Sequence, residues 1–184
     1  LYGNAYKHAG GVVLVEAPGQ TGYIQIILPN WADYASVVSV RIAVTFWFLN
    51  VADAFGIING IRSPVTSSCN IQSGSVSACM DLYNDHLYTT EPTSRADNSV
   101  LDSTLTTNEA QSGTFIFEVN YESGIIAIPT YQATSLIQLP GHVTSFTPTT
   151  QEASTVYLHA WTGASTGNIQ VQNYDITITY NDNL

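Results

Sequence analysis

The stretch "VVSVRIAVTFWFL", residues 37 to 49, places Val38, Val40, Ile42, Val44, Phe46 and Phe48 at even positions and Ser39, Arg41, Thr45 and Trp47 at odd ones. A period of two is the repeat of a β-strand, whose successive side chains point to opposite faces. The pattern predicts a long half-buried strand with its even face on a core. Such a strand needs a sheet beside it and a second layer beneath it.

Other segments supply both. In "TFIFEVNYE", Phe115, Phe117, Val119 and Tyr121 share one face, and Glu118, Asn120 and Glu122 share the other. "GYIQIIL" groups Ile24, Ile26 and Leu28, while "TVYLHAW" sets Val156, Leu158 and Ala160 against Tyr157, His159 and Trp161. "NIQVQNYDITITY" changes phase between Val171 and Tyr174, which a bulge near Gln172-Asn173 reconciles. Shorter strands are expected over 124–131 and 135–139. Helical signal is sparse: a turn or two over 76–88 and a short piece in "ADNSVLDSTLTTNEAQSG". Strands joined by turns at this spacing predict an all-β fold, a single jelly-roll-like sandwich. With no linker, repeat or low-complexity tract, residues 20–184 form one sandwich domain behind a leader at 1–19.

Charged residues are only 10 % of the 184, and the net charge is −10 with Lys7, Arg41, Arg62 and Arg95 as the only Lys and Arg. Such a chain repels phosphate backbones and anionic lipid, which excludes nucleic acid as a partner. The most apolar run, residues 37 to 58, is broken by Arg41, Asn50 and Asp53, so no segment predicts a membrane span. The first residue is Leu1 and the only methionine is Met80, so an exported product freed of its signal peptide is expected. Cys69 and Cys79 lack metal-site spacing and are expected to pair as a disulfide, which would staple a short loop by about 2–3 kcal/mol. No Asn-x-Ser/Thr sequon occurs.

No catalytic signature appears, and no cofactor or metal is expected. The chain lacks a nucleophile elbow, and the acidic residues lie mostly at turns or on exposed strand faces. Asp81, Asp85, His86 and Glu91 stand close enough to gather around a cation, but a solvated polar loop is the favoured reading. Trp31, Trp47, Trp161 and eleven tyrosines admit a sugar-stacking platform, with Trp161 the best candidate. Half-buried sheet aromatics are the commoner outcome for such residues.

The segment "HAGGVVLVEAPGQ" is the remaining signal. Val12, Val13, Leu14 and Val15 are apolar on both faces, which suits an interior slot better than an edge. The leader before them and "APGQTG" after them have the composition of flexible tethers. Strands of this kind can complete a neighbouring subunit, and a head-to-tail contact that does not close makes a filament.

The order of this strand, "YIQIILPNW", the alternating strand 37–49 and a closing "DITITY" resembles the TasA/camelysin-like biofilm fibre subunits and the related archaeal bundling pilins. The resemblance covers residues 6 to 50 and 169 to 180. It implies an extracellular jelly-roll subunit whose partner is itself, polymerised by donor-strand complementation with Val12, Val13, Leu14 and Val15 as the donor. The chain departs from the bacterial members in its scarcity of Lys and in its Cys69–Cys79 loop, and it has no metalloprotease motif. The alternatives are a secreted carbohydrate-binding sandwich, marked by loss of glycan binding in Trp161→Ala, and a viral jelly-roll capsid protein.

Overall fold

The computed structural model describes residues 1–28, 37–49, 53–60, 75–82, 86–90, 98–100, 102–103, 110–148, 154–163 and 167–181. The strands among them are β1 (Tyr2–Gly3), β2 (Tyr6–His8), β3 (Gly11–Val15), β4 (Thr21–Ile27), β5 (Val37–Leu49) and β6 (Asp53–Gly60). Then come β7 (Ser75–Asp81), β8 (His86–Thr90), β9 (Asn98–Val100), β10 (Asp102–Ser103), β11 (Ala110–Asn120) and β12 (Ile125–Ile128). The last are β13 (Tyr131–Gln132), β14 (Ile137–Leu139), β15 (His142–Ser145), β16 (Thr155–Thr162) and β17 (Asn168–Tyr180).

Sheet I has the order β1-β4-β16-β6-β7-β8-β9, sheet II the order β15-β12-β11-β5-β17-β3-β2, and a small third sheet the order β10-β14-β13. The two large sheets pack face to face as an all-β sandwich, as the alternation requires. The even face of β5 is the floor of the core, with Val40, Ile42, Val44, Phe46 and Phe48 essentially without exposure. Phe117, Val119 and Phe115 continue that floor on β11, which pairs with β5 along its whole length. Sheet I answers with Ile24, Phe55, Ile57, Met80 and Leu158. Phe55 joins the layers, stacking on Phe46 at 5.7 Å and meeting Phe115 edge-on at 6.1 Å. A polar strut crosses beside them: the Tyr121 hydroxyl donates to Asn59 Oδ1, and Asn59 Nδ2 donates to the Thr155 carbonyl at 3.1 Å.

Two details of phase follow from register. The expected bulge in β17 lies between Val171 and Asn173, opposite β5. A second shift, opposite Val37, turns β5 by one position, so Val37 is buried and Val38 is not. Among the described residues of 76–88 the expected helical turns do not form. Residues 75–81 and 86–90 are strands, because β7 finds a full ladder on β6 and β8 a ladder on β7. The described parts of 96–113 are likewise extended.

The donor-strand expectation is corrected here. Val12, Val13, Leu14 and Val15 form β3 in the chain's own sheet II, between β17 and β2. Leu14 and Val15 have no exposure and belong to the core. An interior slot is what a strand apolar on both faces requires, and this molecule fills that slot with its own strand.

The flanking segments are fastened rather than loose. The Asn4 N–H donates to the Thr21 carbonyl at 2.9 Å. Gln20 Oε1 accepts from the N–H groups of Glu16 and Ala17, and the Gln20 N–H donates to Thr162 Oγ1 at 3.0 Å. The glycines that read as hinges are close-approach points. Gly11 sits at φ 137°, where a Cβ would lie 2.1 Å from the Val171 carbonyl oxygen. A Cβ on Gly22 would lie 2.1 Å from the Leu14 carbonyl oxygen. A missing side chain lets β3 lie against β17 at Gly11, and lets the two sheets meet at Gly22.

Candidate functional site

The residues of β16 that point away from the core are Tyr157, His159 and Trp161, and the ladder extends their rows across sheet I. His159 is level with Tyr23 on β4 and with Gly56 on β6, and Gly56 is level with Cys79 and then Tyr88. Tyr2 on β1 is level with Tyr23. Trp161 is level with Thr21 and Ala54, and Ala54 with Asp81 and His86. The outer face of sheet I therefore carries a row with aromatic rings on β1, β4 and β16 and again on β8, with Gly56 and Cys79 between them.

The row is open at the β1 end and closed in the middle. Tyr2 is 48 % exposed and stacks on Tyr23 with ring centroids 4.9 Å apart. Tyr23 meets Tyr157 edge-on at 5.7 Å. Burial raises the pKa of the Tyr157 phenol, with smaller contributions from Tyr23 and Tyr2, so it stays protonated and able to donate at neutral pH. At the middle of the face His159 lies 5.1 Å from the Trp161 ring, and Trp161 packs with Ala54, Cys79 and Tyr88 in a second small core. Burial lowers the His159 pKa to about 4, so the ring is neutral. Its Nε2 has no hydrogen-bond partner, and neither do the hydroxyls of Ser75 and Ser77 on the same face. Buried polar atoms of this kind are ordinarily met by water or a ligand. At the far end His86 stacks on Tyr88 at 5.7 Å.

The sequence candidates separate. Trp161 is on this face but nearly buried, Trp47 is half-buried on the outer face of sheet II, and Trp31 lies outside the described residues. Asp81 and His86 are paired across β7 and β8, while Asp85 and Glu91 lie outside the described residues. Among the described residues no three His, Cys, Asp or Glu side chains converge as a cation site. Cys79 is disulfide-bonded, and Cys69 also lies outside the described residues. Tyr2, Tyr23 and Tyr157 were not singled out by the sequence. Only the register of β1, β4 and β16 brings them together.

No protein-family model matches the chain, and no curated protein matches it. Solved structures do. Peanut lectin superposes with a TM-score of 0.67 at 10 % identity, over 96 % of this chain and 89 % of its own. The exoplasmic/lumenal domain of VIP36, in its Ca²⁺/Man3GlcNAc-bound form, gives 0.68 at 11 %, over 95 % and 80 %. The Emp47p carbohydrate recognition domain gives 0.63 at 10 %, over 98 % and 86 %. These are lectin sandwiches, not biofilm fibre subunits or pilins, and they overturn the filament reading together with the resemblance on which it stood. At such identities the likeness is one of fold: the chain is an all-β, two-sheet sandwich of the legume-lectin-like jelly-roll kind.

Proposed function

We propose that the chain is a carbohydrate-binding β-sandwich module, acting by binding without catalysis, and that its contact surface is the aromatic outer face of sheet I. The observation that carries the reading is the match to carbohydrate recognition domains over nearly the whole chain, including one described with a bound mannose oligosaccharide. At the level of residues, the open Tyr2–Tyr23 stack offers an apolar plane for the C–H face of a pyranose. Tyr157, itself buried, meets Tyr23 edge-on and backs that stack from within the sheet. The charge of −10 favours neutral glycans over sulfated or uronic ones. Export also belongs to this reading, since a disulfide such as that of Cys79 persists in oxidising surroundings.

A glycan array probed with the purified chain tests it. At least one neutral glycan should bind, and Tyr2→Ala should weaken that binding while the fold is retained. A chain that binds no glycan, or a Tyr2→Ala variant that binds unchanged, defeats the proposal.

A further inference from the structure

The outer face of sheet II holds a groove of about 390 Å³, at the low end of the roughly 300–1,000 Å³ usual for small-molecule sites. Its lining comes from four adjacent strands. Thr177 and Thr179 are on β17, Ser39 and Arg41 on β5, Glu118 and Asn120 on β11, and Ile125 and Ala127 on β12. Register sets them in two rows. Ile125, Asn120, Ser39 and Thr179 run level across the sheet, and Ala127, Glu118, Arg41 and Thr177 run level beside them. Arg41 Nε donates to Glu118 Oε1 at 3.2 Å in the middle, with both side chains nearly half exposed. Asn120 Oδ1 is occupied by the N–H groups of Glu122 and Ser123, which shapes the turn that closes one end.

We infer that this groove is a second binding site, for a neutral saccharide, on the face opposite the aromatic row. The chemistry selects the ligand. Arg41 brings only donors and Glu118 only acceptors, whereas the hydroxyls of Ser39 and Thr179 are both. A phosphate or carboxylate placed against Arg41 would face Glu118, and an ammonium placed against Glu118 would face Arg41. A vicinal diol, each of whose hydroxyls donates and accepts, satisfies both members of the pair at once. Ile125 and Ala127 supply an apolar edge for ring C–H groups. One polypeptide would then hold glycans on two opposite faces. This inference does not rest on the aromatic face being a site.

The test is an amide NMR titration of the full chain with maltose, cellobiose, lactose and mannobiose in turn, repeated on Glu118→Gln, Arg41→Gln and Tyr2→Ala. Shifts at residues 39–41, 118–120, 123 and 177–179 with at least one sugar are expected. That binding should weaken roughly tenfold in Glu118→Gln and Arg41→Gln and be unchanged in Tyr2→Ala. Shifts confined to residues 2, 23 and 157 would uphold the aromatic face and overturn the second site. Shifts confined to the sheet II residues would do the reverse. No shifts on the sheet II face with any of the four sugars would overturn this inference, as would full retention of binding in both charge variants.

Discussion

The two outer faces of this sandwich are built from strands of the same alternation, yet they have opposite fates. On sheet I, Trp161 is 8 % exposed and His159 3 %, so side chains pointing away from the main core are buried a second time. On sheet II, Arg41 and Glu118 keep 42 % and 45 % of their side-chain surface. The first face spends hydrophobic area on holding itself together, with Tyr2 open at one edge. The second keeps the Arg41–Glu118 pair nearly half exposed and leaves its polar groups at the disposal of a ligand. In a two-layer fold the core-facing residues decide that the sheets close, and the outward residues decide what each sheet is for.

Substitutions sharpen this contrast. The largest effect is expected at Trp161→Ala, which should lower stability by about 3–5 kcal/mol in denaturant unfolding, because the cavity opens in a packed cluster. A loss below about 1 kcal/mol would mean that the second core is not one. Next is the pH response of His159. Its folded pKa of about 4 lies below the ordinary 6.5, so the unfolded chain takes up the proton first as pH falls. Stability should be undiminished by this group above pH 6.5 and should decline by about 3 kcal/mol between pH 6.5 and 4. Melting curves across that window should flatten in His159→Phe, and an unchanged slope there would contradict the assignment. Smaller is Tyr2→Ala, which should cut glycan affinity about threefold to tenfold by removing one member of an aromatic stack. The smallest is the Arg41–Glu118 coupling, which a double-mutant cycle should put at about 0.2–1 kcal/mol and which added salt should erode.

Much of the architecture was legible from alternation alone. The core faces of β5 and β11 follow directly from it, and the phase change in β17 marked its bulge, because period two leaves no other way to exchange faces. The burial of both faces of β16 was not legible. Its inward row was evident from Val156, Leu158 and Ala160, but a sequence shows only which residues share a face, not whether that face is later covered. The leader was misread for a related reason. Gly11 and Gly22 have the composition of hinges, and only the positions of the Val171 and Leu14 carbonyls reveal that they are contact points. At the candidate site, Trp161 stood out as a residue type, while the Tyr2–Tyr23–Tyr157 group depends on β1 pairing with β4 and on β4 pairing with β16, more than a hundred positions further along the chain. The Arg41–Glu118 pair is equally a product of register: alternation put both outward, and the β5–β11 ladder put them side by side.

The place of β17 between β5 and β3 has a consequence for how the chain comes to be. β3 ends at Val15, and the strand that seats it begins at Asn168. At a synthesis rate of roughly 5–20 residues per second, about eight to thirty seconds separate the two. Throughout that interval the Val12–Val15 segment has its β2 hairpin on one side and no partner on the other, and β5 shows a bare flank to whatever is near. The most apolar strand of the leader is thus the one that waits longest for its neighbour. Nascent chains crowded on one message are the setting in which that wait is hazardous, because a sister chain offers the same β17.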